Sequence, residues 1–380
     1  MIKRLFSLFF ALLLLLSCGL ARAEGFDFTP YEFSAPYIVS FMMLDSHNLV
    51  AECWETSDGA EDELRYLTWW RDGEMIRQVP YSWEDGRYDL LQRQDGICSV
   101  LKVCVDGGHM DTAPGAYGID TARLFLYDWG DDGLVNERLL AEGVMDYRVA
   151  KDGVALMKME NGTPYLYLFD GQGRQEGKLP MEPGYHWVVR AARDHEGLWM
   201  VTVEDRMKGA AYRPILIRNG EILWEGAPGA SIYNVRMDEQ GGYFLTEHVP
   251  GQTYSPVFIS RYDGNGNKLW QKKLSGKNVN LGTITRIDPV TGHLIIAGSA
   301  KAKSRNLHLV YCLEVDENWR VVSLDVRDCR RDENDSVSVY LSPQADEILV
   351  FIRPDNDDRR PVLVPFDALP QADDPGITLN

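Results

Sequence analysis

Eleven basic side chains, Arg206, Lys208, Arg213, Lys301, Lys303, Arg305, Arg327, Arg330, Arg331, Arg359 and Arg360, stand in or beside stretches that read as loops in the second half of the chain. Guanidinium groups offer paired N–H donors, so such a group suits a carboxylate, sulfate or phosphate held bidentately. Acidic residues are interleaved, namely Asp328, Asp332, Glu333, Asp335, Asp355, Asp357 and Asp358. Ordinary surface ion pairs of small energetic value are therefore the competing reading. Tyr117, Tyr212 and Tyr254 fall in the same kind of stretch and are candidates for ligand contact.

Catalytic constellations are sparse, and no catalytic residue is assigned. The histidines are dispersed: His47, His195 and His293 fall near short turns, His109 and His248 in longer loops. None forms a His-x-x-x-His ligand pair. His109 or His248, with Asp106, Asp111 or Glu247 nearby, is a candidate for proton transfer or metal ligation, against a plain surface-loop role. The stretch Asp263 to Asn267 begins like a calcium loop, but Lys268 and Leu274 occupy the places where an EF-hand needs Gly and Glu, so it reads as a hairpin turn. No Gly-x-Ser-x-Gly elbow or phosphate-cradling loop is present in the sequence. No metal site is predicted.

The elements that must position these residues repeat. Apolar alternation and Asp-Gly turns define seven segments starting near Tyr37, Tyr88, Tyr147, Val188, Val235, Ile284 and Val337, spaced 41 to 59 residues apart. Each reads as four short strands; in residues 147–179 an Asp152-Gly153 turn follows the first strand and a turn at residues 170–173 leads to the fourth. Asp-Gly between apolar runs signals a hairpin, because Gly accepts the positive φ of a tight turn. Ile76, Trp224 and Trp270 close the outer strands and are expected to pack between sheets. Trp54, Trp69, Trp70, Trp187 and Trp199 lie within apparent strands, where packing is the expected role. One such sheet cannot bury both faces alone, but sheets set radially about an axis can. The expectation is an all-β chain folded as a single β-propeller of four-stranded antiparallel blades, seven in number, with six or eight as alternatives.

The segments DGNGNKLWQKKL (residues 263–274), RNGEILWEG (218–226) and DPVTGHLIIAG (288–298) resemble repeats of the quinoprotein-type, or PQQ-like, propeller superfamily. That resemblance spans most of the chain. It implies either an oxidoreductase holding pyrroloquinoline quinone with calcium, or a non-enzymatic scaffold lipoprotein of the envelope. The sialidase box and the Trp-Asp dipeptide of WD40 repeats are missing from the sequence.

In a ring of this kind the short Asp-Gly turns share one rim, and the connections between second and third strands share the other with the blade-to-blade links. The long stretches 106–122, 204–213, 247–255, 299–306 and 353–361 are thus expected together, and binding is expected there, since variable loops on a rigid scaffold commonly carry it. Residues 26–33, FDFTPYEF, could complete the last blade and leave no open sheet edge. The organisation expected is a signal at 1–23, a closing segment at 24–34, the propeller at 35–370 and a tail at 371–380.

Lys3 and Arg4 precede an apolar run from Leu5 to Leu16 and the small-residue site Ala21, Arg22, Ala23, the pattern of a secretory signal. The Leu15-Leu16-Ser17-Cys18 run also resembles a lipobox, so two readings stand: cleavage after Ala23, or lipid attachment at Cys18, which would be the protein's link to a membrane. Either predicts a periplasmic or extracellular location. The formal charge of −18 becomes −21 when Lys3, Arg4 and Arg22 leave with the signal. So acidic a surface repels phosphate backbones, and nucleic acid is excluded as a predicted partner. Cys53, Cys98, Cys104, Cys312 and Cys329 are odd in number, so at least one stays unpaired within the chain. Cys98 and Cys104 sit about 20 Å apart along one strand, too far for a disulfide; Cys312 with Cys329 is sterically allowed. The function expected is a non-catalytic binding or scaffold protein whose partner is a protein, peptide or glycan, with no cofactor. The alternative is a propeller enzyme, a quinone-dependent oxidoreductase using pyrroloquinoline quinone with calcium or a carbohydrate-acting lyase or hydrolase.

Overall fold

The computed structural model describes residues 26–33, 37–43, 48–55, 64–72, 74–81, 86–92, 98–105, 121–130, 133–150, 152–183, 185–194, 196–205, 211–226, 231–237, 242–248, 257–275, 284–288, 290–301, 308–331, 335–341, 347–354, 360–374 and 376–379. The strands of these residues form an all-β structure whose sheets are arranged as a β-propeller. The first sheet is β1 (Tyr37–Met43), β2 (Asn48–Glu55), β3 (Leu64–Arg71) and β4 (Glu74–Tyr81). The second runs β5 (Arg87–Gln92), β6 (Cys98–Val105), β7 (Ala122–Gly130), β8 (Gly133–Ala150), β9 (Gly153–Glu160), β10 (Thr163–Asp170) and β11 (Gln175–Pro180). The third is β12 (Tyr185–Arg193), β13 (Leu198–Asp205), β14 (Ala211–Arg218) and β15 (Glu221–Glu225). The fourth holds β16 (Ser231–Met237), β17 (Tyr243–His248), β18 (Val257–Tyr262) and β19 (Lys268–Ser275). The fifth is β20 (Ile284–Ile287), β21 (Leu294–Lys301), β22 (His308–Val315) and β23 (Val321–Asp328). The sixth has three strands, β24 (Ser336–Leu341), β25 (Ile348–Arg353) and β26 (Val362–Pro365).

Seven four-stranded blades were expected, with six or eight as alternatives; among the described residues five sheets with four or more strands and one with three are found. The main cause is β8. Its first part pairs with β7 and its second with β9, and Val144 alone has a partner on each side, Ala122 and Lys158. Gly143, at φ +66°, lies at this crossover. The segments beginning near Tyr88 and Tyr147 therefore merge into one sheet, and their link is a strand rather than a loop.

Short turns follow a common chemistry. In the β10–β11 turn the Asp170 Oδ1 accepts the N–H of Gln172 and Arg174, at 2.9 and 2.8 Å, while the Asp170 N–H reaches the Arg174 carbonyl. Asp263 and Asp316 repeat this in the turns before β19 and β23. The fourth residue of the turn takes a left-handed φ. Gly173 and Gly266 do so freely, whereas Trp319 does so at φ +64° and packs edge-on against Trp270 at 4.5 Å.

Burial rises toward the middle strands of each sheet. β9 is buried along GVALM, whereas the outer strand β4 alternates only between exposed and half-buried. Ile76, expected to pack between sheets, is exposed, because β4 turns that residue outward from its edge position; Trp224 and Trp270 do pack against neighbouring cores. Seven apolar clusters lie between successive repeats. One joins Val50 and Leu67 to Tyr88 and Val100, and another joins Met157 and Leu168 to Val188 and Trp199. The last joins Phe33, Ile38, Leu49 and Trp70 to Phe351, so the first sheet packs on the sixth and the ring closes. Each fully buried Leu, Ile, Val or Phe in such a seam contributes about 1.5–3 kcal/mol.

Both chain ends are sewn to this ring. A 3₁₀ turn at Thr29–Tyr31 leads to Glu32, which bridges Val362 of β26, and the Phe33 N–H donates to the Pro361 carbonyl at 3.0 Å. At the other end Gln371 bridges Arg327 on β23, Ile377 is buried in the fourth–fifth sheet seam, and β27 (Thr378–Leu379) adds to the edge of β19. Residues 370–372 and 378–379 thus cover two outer sheet edges.

Deleting residues 26–33 is expected to lower the melting temperature by several degrees, and Phe33→Ala alone to cost about 3–5 kcal/mol, the usual loss for a buried Phe. Thermal denaturation checks this; an unchanged transition in both variants refutes the closure.

Candidate functional site

The inner strands β5 and β8 carry mirrored triplets, Arg87-Tyr88-Asp89 and Asp146-Tyr147-Arg148. Because β8 belongs to both halves of the second sheet, it brings the second triplet up against the first. Gly86, at φ +133°, lets the chain enter β5 close to β6: a Cβ there would lie 2.8 Å from the Val103 carbonyl oxygen. Arg87, Asp89, Tyr147, Arg148 and Val149 line a pocket of about 250 Å³.

Its polar groups are tied into one network. The Tyr147 hydroxyl donates to Asp89 Oδ2, and Arg87 Nη2 donates to Asp89 Oδ1 at 3.1 Å. Arg148 Nη1 donates to the Tyr147 carbonyl at 2.6 Å and to Asp146 Oδ1 at 3.3 Å, while its Nε donates to the Val189 carbonyl at 3.3 Å. Arg190 Nη1 donates to that same carbonyl at 2.8 Å, which sets a second guanidinium beside Arg148. Asp146 is fully buried, and its Oδ2 accepts the Val188 N–H at 2.7 Å, tying β8 to β12.

Next to this network Glu52 accepts from the Tyr81 hydroxyl and from Arg65 Nη1 at 3.4 Å, and the Tyr81 ring lies 4.4 Å from that of Tyr88.

Electrostatics suit holding better than proton transfer. Burial, helped by the Asp89 charge, pushes the Tyr147 phenol well above its ordinary value, and burial with Glu52 does the same to Tyr81. Neither is a ready base. Burial pushes Asp146 up to about 6, opposed by Arg148 and the Val188 N–H. Burial likewise pushes the thiols of Cys53, Cys98 and Cys312 up to about 11, 12 and 11, and that of Cys329 up. None of the five cysteines from Cys53 to Cys329 forms a disulfide among the described residues.

Several sequence candidates change place. Tyr212 and Arg213, expected in a loop, lie in β14, because pairing of Glu204 with Tyr212 and Val203 with Arg213 extends the hairpin. Lys301 and His248 are likewise the last residues of β21 and β17, paired with His308 and Val257. Arg213 meets Glu225 at 3.3 Å, and Arg330 meets Asp328 at 3.9 Å. Arg331 meets Glu32 at 2.7 Å, donates to the Arg360 carbonyl and sits over the Phe28 ring, so it latches the N-terminal segment. Arg327 does the same for the C-terminal segment through Asp325 and the Leu369 carbonyl. Arg331 and Arg360 are the pair of basic candidates that the described contacts bring together. Tyr117, Arg206, Lys208, Tyr254, Lys303, Arg305 and Arg359 lie outside the described residues, as do His47, His109 and His195. His293 Nδ1 pairs with Glu314 at 2.6 Å.

The stretch Asp263 to Asn267 is a hairpin turn: Asp263 Oδ1 accepts from the Asn265 and Asn267 N–H groups, and Oδ2 from the Asn267 amide. Those bonds, the Asn267 side chain first, hold its carboxyl below the ordinary range.

No family model matches the chain, and no curated protein matches it. Among solved structures, hydrazine synthase of Kuenenia stuttgartiensis is similar at TM-score 0.48 and 11% identity, over 89% of this chain and 97% of that one. Sqt1 of Chaetomium thermophilum, bound to the N-terminus of ribosomal protein L10, gives 0.45 and 11%, over 90% and 100%. A eukaryotic initiation factor gives 0.45 and 12%, over 90% and 92%. These are β-propeller-type folds, and the resemblance to quinoproteins stays that of a generic repeat.

Asp146 gives a signed pH dependence. Its folded value, about 6, exceeds the ordinary 3.8, so its contribution to stability is complete below pH 3.8 and is lost as pH rises through 6. Asp146→Asn is expected to remove about 3 kcal/mol of pH-dependent stability between pH 4 and 7, at 1.36 kcal/mol per unit. Denaturant titrations of both proteins across that range check it, and parallel profiles refute it.

Proposed function

We propose that this protein is an exported, non-catalytic binding or scaffold protein of the cell envelope, periplasmic or extracellular, whose partner is a protein, peptide or glycan. The supporting observation is the ring itself. Apolar seams fix every sheet between two others, so the described strands form one rigid frame. A rigid frame presenting variable segments on one side is the arrangement that recognition surfaces use. In the third repeat β9 and β10 are joined by a two-residue Asn161-Gly162 turn.

The reading carries no cofactor and no nucleic acid, in keeping with a formal charge of −18. Its attachment to a membrane, if any, is through lipid at Cys18.

A thermal-shift panel of pyrroloquinoline quinone with calcium, glycans and peptides tests it. A binding protein is expected to gain stability from a glycan or peptide in proportion to occupancy, about 2.7 kcal/mol at a hundred times the dissociation constant. Strong stabilisation by the quinone with calcium, accompanied by dye reduction with an alcohol, overturns it in favour of the oxidoreductase.

A further inference from the structure

We infer that the pocket between β5 and β8 is a carboxylate-binding site, in which Arg87 and Arg148 grip a single acidic group of a small molecule or of a peptide end. This rests on the binding reading above and names the chemistry of one of its ligands.

The argument is a count of donors and acceptors. Both acceptor oxygens of Asp89 are engaged, one by Tyr147 and one by Arg87. Both oxygens of Asp146 are engaged too, by Arg148 and by the Val188 N–H, and that side chain is wholly buried. Each of these four oxygens already accepts a hydrogen bond from the protein.

Donors are left over. Arg87 Nη2 binds Asp89, and its side chain is 46% exposed; Arg148 uses Nε and Nη1, and its side chain is 38% exposed. Neither guanidinium is exhausted by these bonds, for each carries five N–H donors. Anchored on one edge by a carboxylate or a carbonyl, each has its planar fork pre-oriented, which lowers the entropy lost on gripping a ligand.

Charge agrees. Among the residues that line the pocket, Arg87 and Arg148 carry two positive charges against the one of Asp89. A locally positive site in a chain of net charge −18 selects small anions, because a polyanion must approach through the surrounding negative field. The pocket, at about 250 Å³, is below the roughly 300–1,000 Å³ usual for drug-sized ligands. It suits one group the size of an acidic side chain or a chain terminus. Planar carboxylate matches the guanidinium fork in both shape and charge.

The test is calorimetric titration of the protein at low ionic strength with five probes. These are glutarate, its neutral analogue glutaramide, sodium sulfate, and an N-acetylated tripeptide compared with its C-terminal amide. Glutarate or the free-acid tripeptide is expected to bind and the neutral analogues not; whichever acid binds tighter identifies the source of the group. Arg87→Gln is expected to weaken binding at least tenfold with an unchanged melting temperature. Arg148→Lys, which keeps the charge facing Asp146, is expected to weaken it less, and Arg330→Gln not at all. Three results overturn the proposal: no saturable heat with either acid, equal binding of acid and amide, or sulfate binding as tightly as glutarate. Any of these leaves the glycan and peptide panel standing, so failure of this site is distinguishable from failure of the binding reading.

Discussion

Everything in this molecule depends on the need of each short sheet to cover two apolar faces. A four-stranded sheet such as β12–β15 has Val201 and Val203 turned to one neighbour and Leu198 and Met200 to the other. No arrangement of a single sheet hides both, and a stack would leave its ends bare. A ring has no ends. The Phe33, Trp70 and Phe351 cluster is the point where that requirement is finally met, and it is made by residues from opposite ends of the sequence. Arg331 and Arg327 fasten the two terminal segments where the ring would otherwise open.

The pocket follows from the same geometry. Inner strands face the axis, where space is too narrow for bulky apolar pairs and polar side chains can be wet. The Arg87 and Asp146 triplets occupy that position in adjoining repeats. Their carboxylates serve to hold arginines and a tyrosine in place, and the buried Asp146 also ties β8 to β12 through the Val188 amide. One network thus ties two sheets together and holds two guanidinium groups at the pocket wall.

Much of the frame was legible in the sequence because its signals are local. Asn219-Gly220 and the Asp263 turn specify their hairpins within a few residues, and alternation in Tyr165 to Phe169 announces a strand buried on both sides. Junctions were less legible. Nothing local distinguishes a loop from a strand across 133–150, since its crossover depends on Val144 pairing with Ala122 and Lys158 at once. The basic residues stood out by composition, yet Arg331 and Arg213 prove to be fasteners whose partners, Glu32 and Glu225, are fixed by tertiary structure. The inner-strand triplets were visible as letters, and charge inside an otherwise apolar strand was the available signal. Only the ring placed them opposite one another.

The continuous strand β8 also bears on how this architecture can change over generations. Repeat arrays grow and shrink by copying or losing one unit at a seam between units. Between the second and third repeats there is no seam, because eighteen residues of unbroken backbone are the edge of one and the hub of the next. Excising either would tear a strand out of its neighbour, so the continuous backbone binds these two repeats into a doublet.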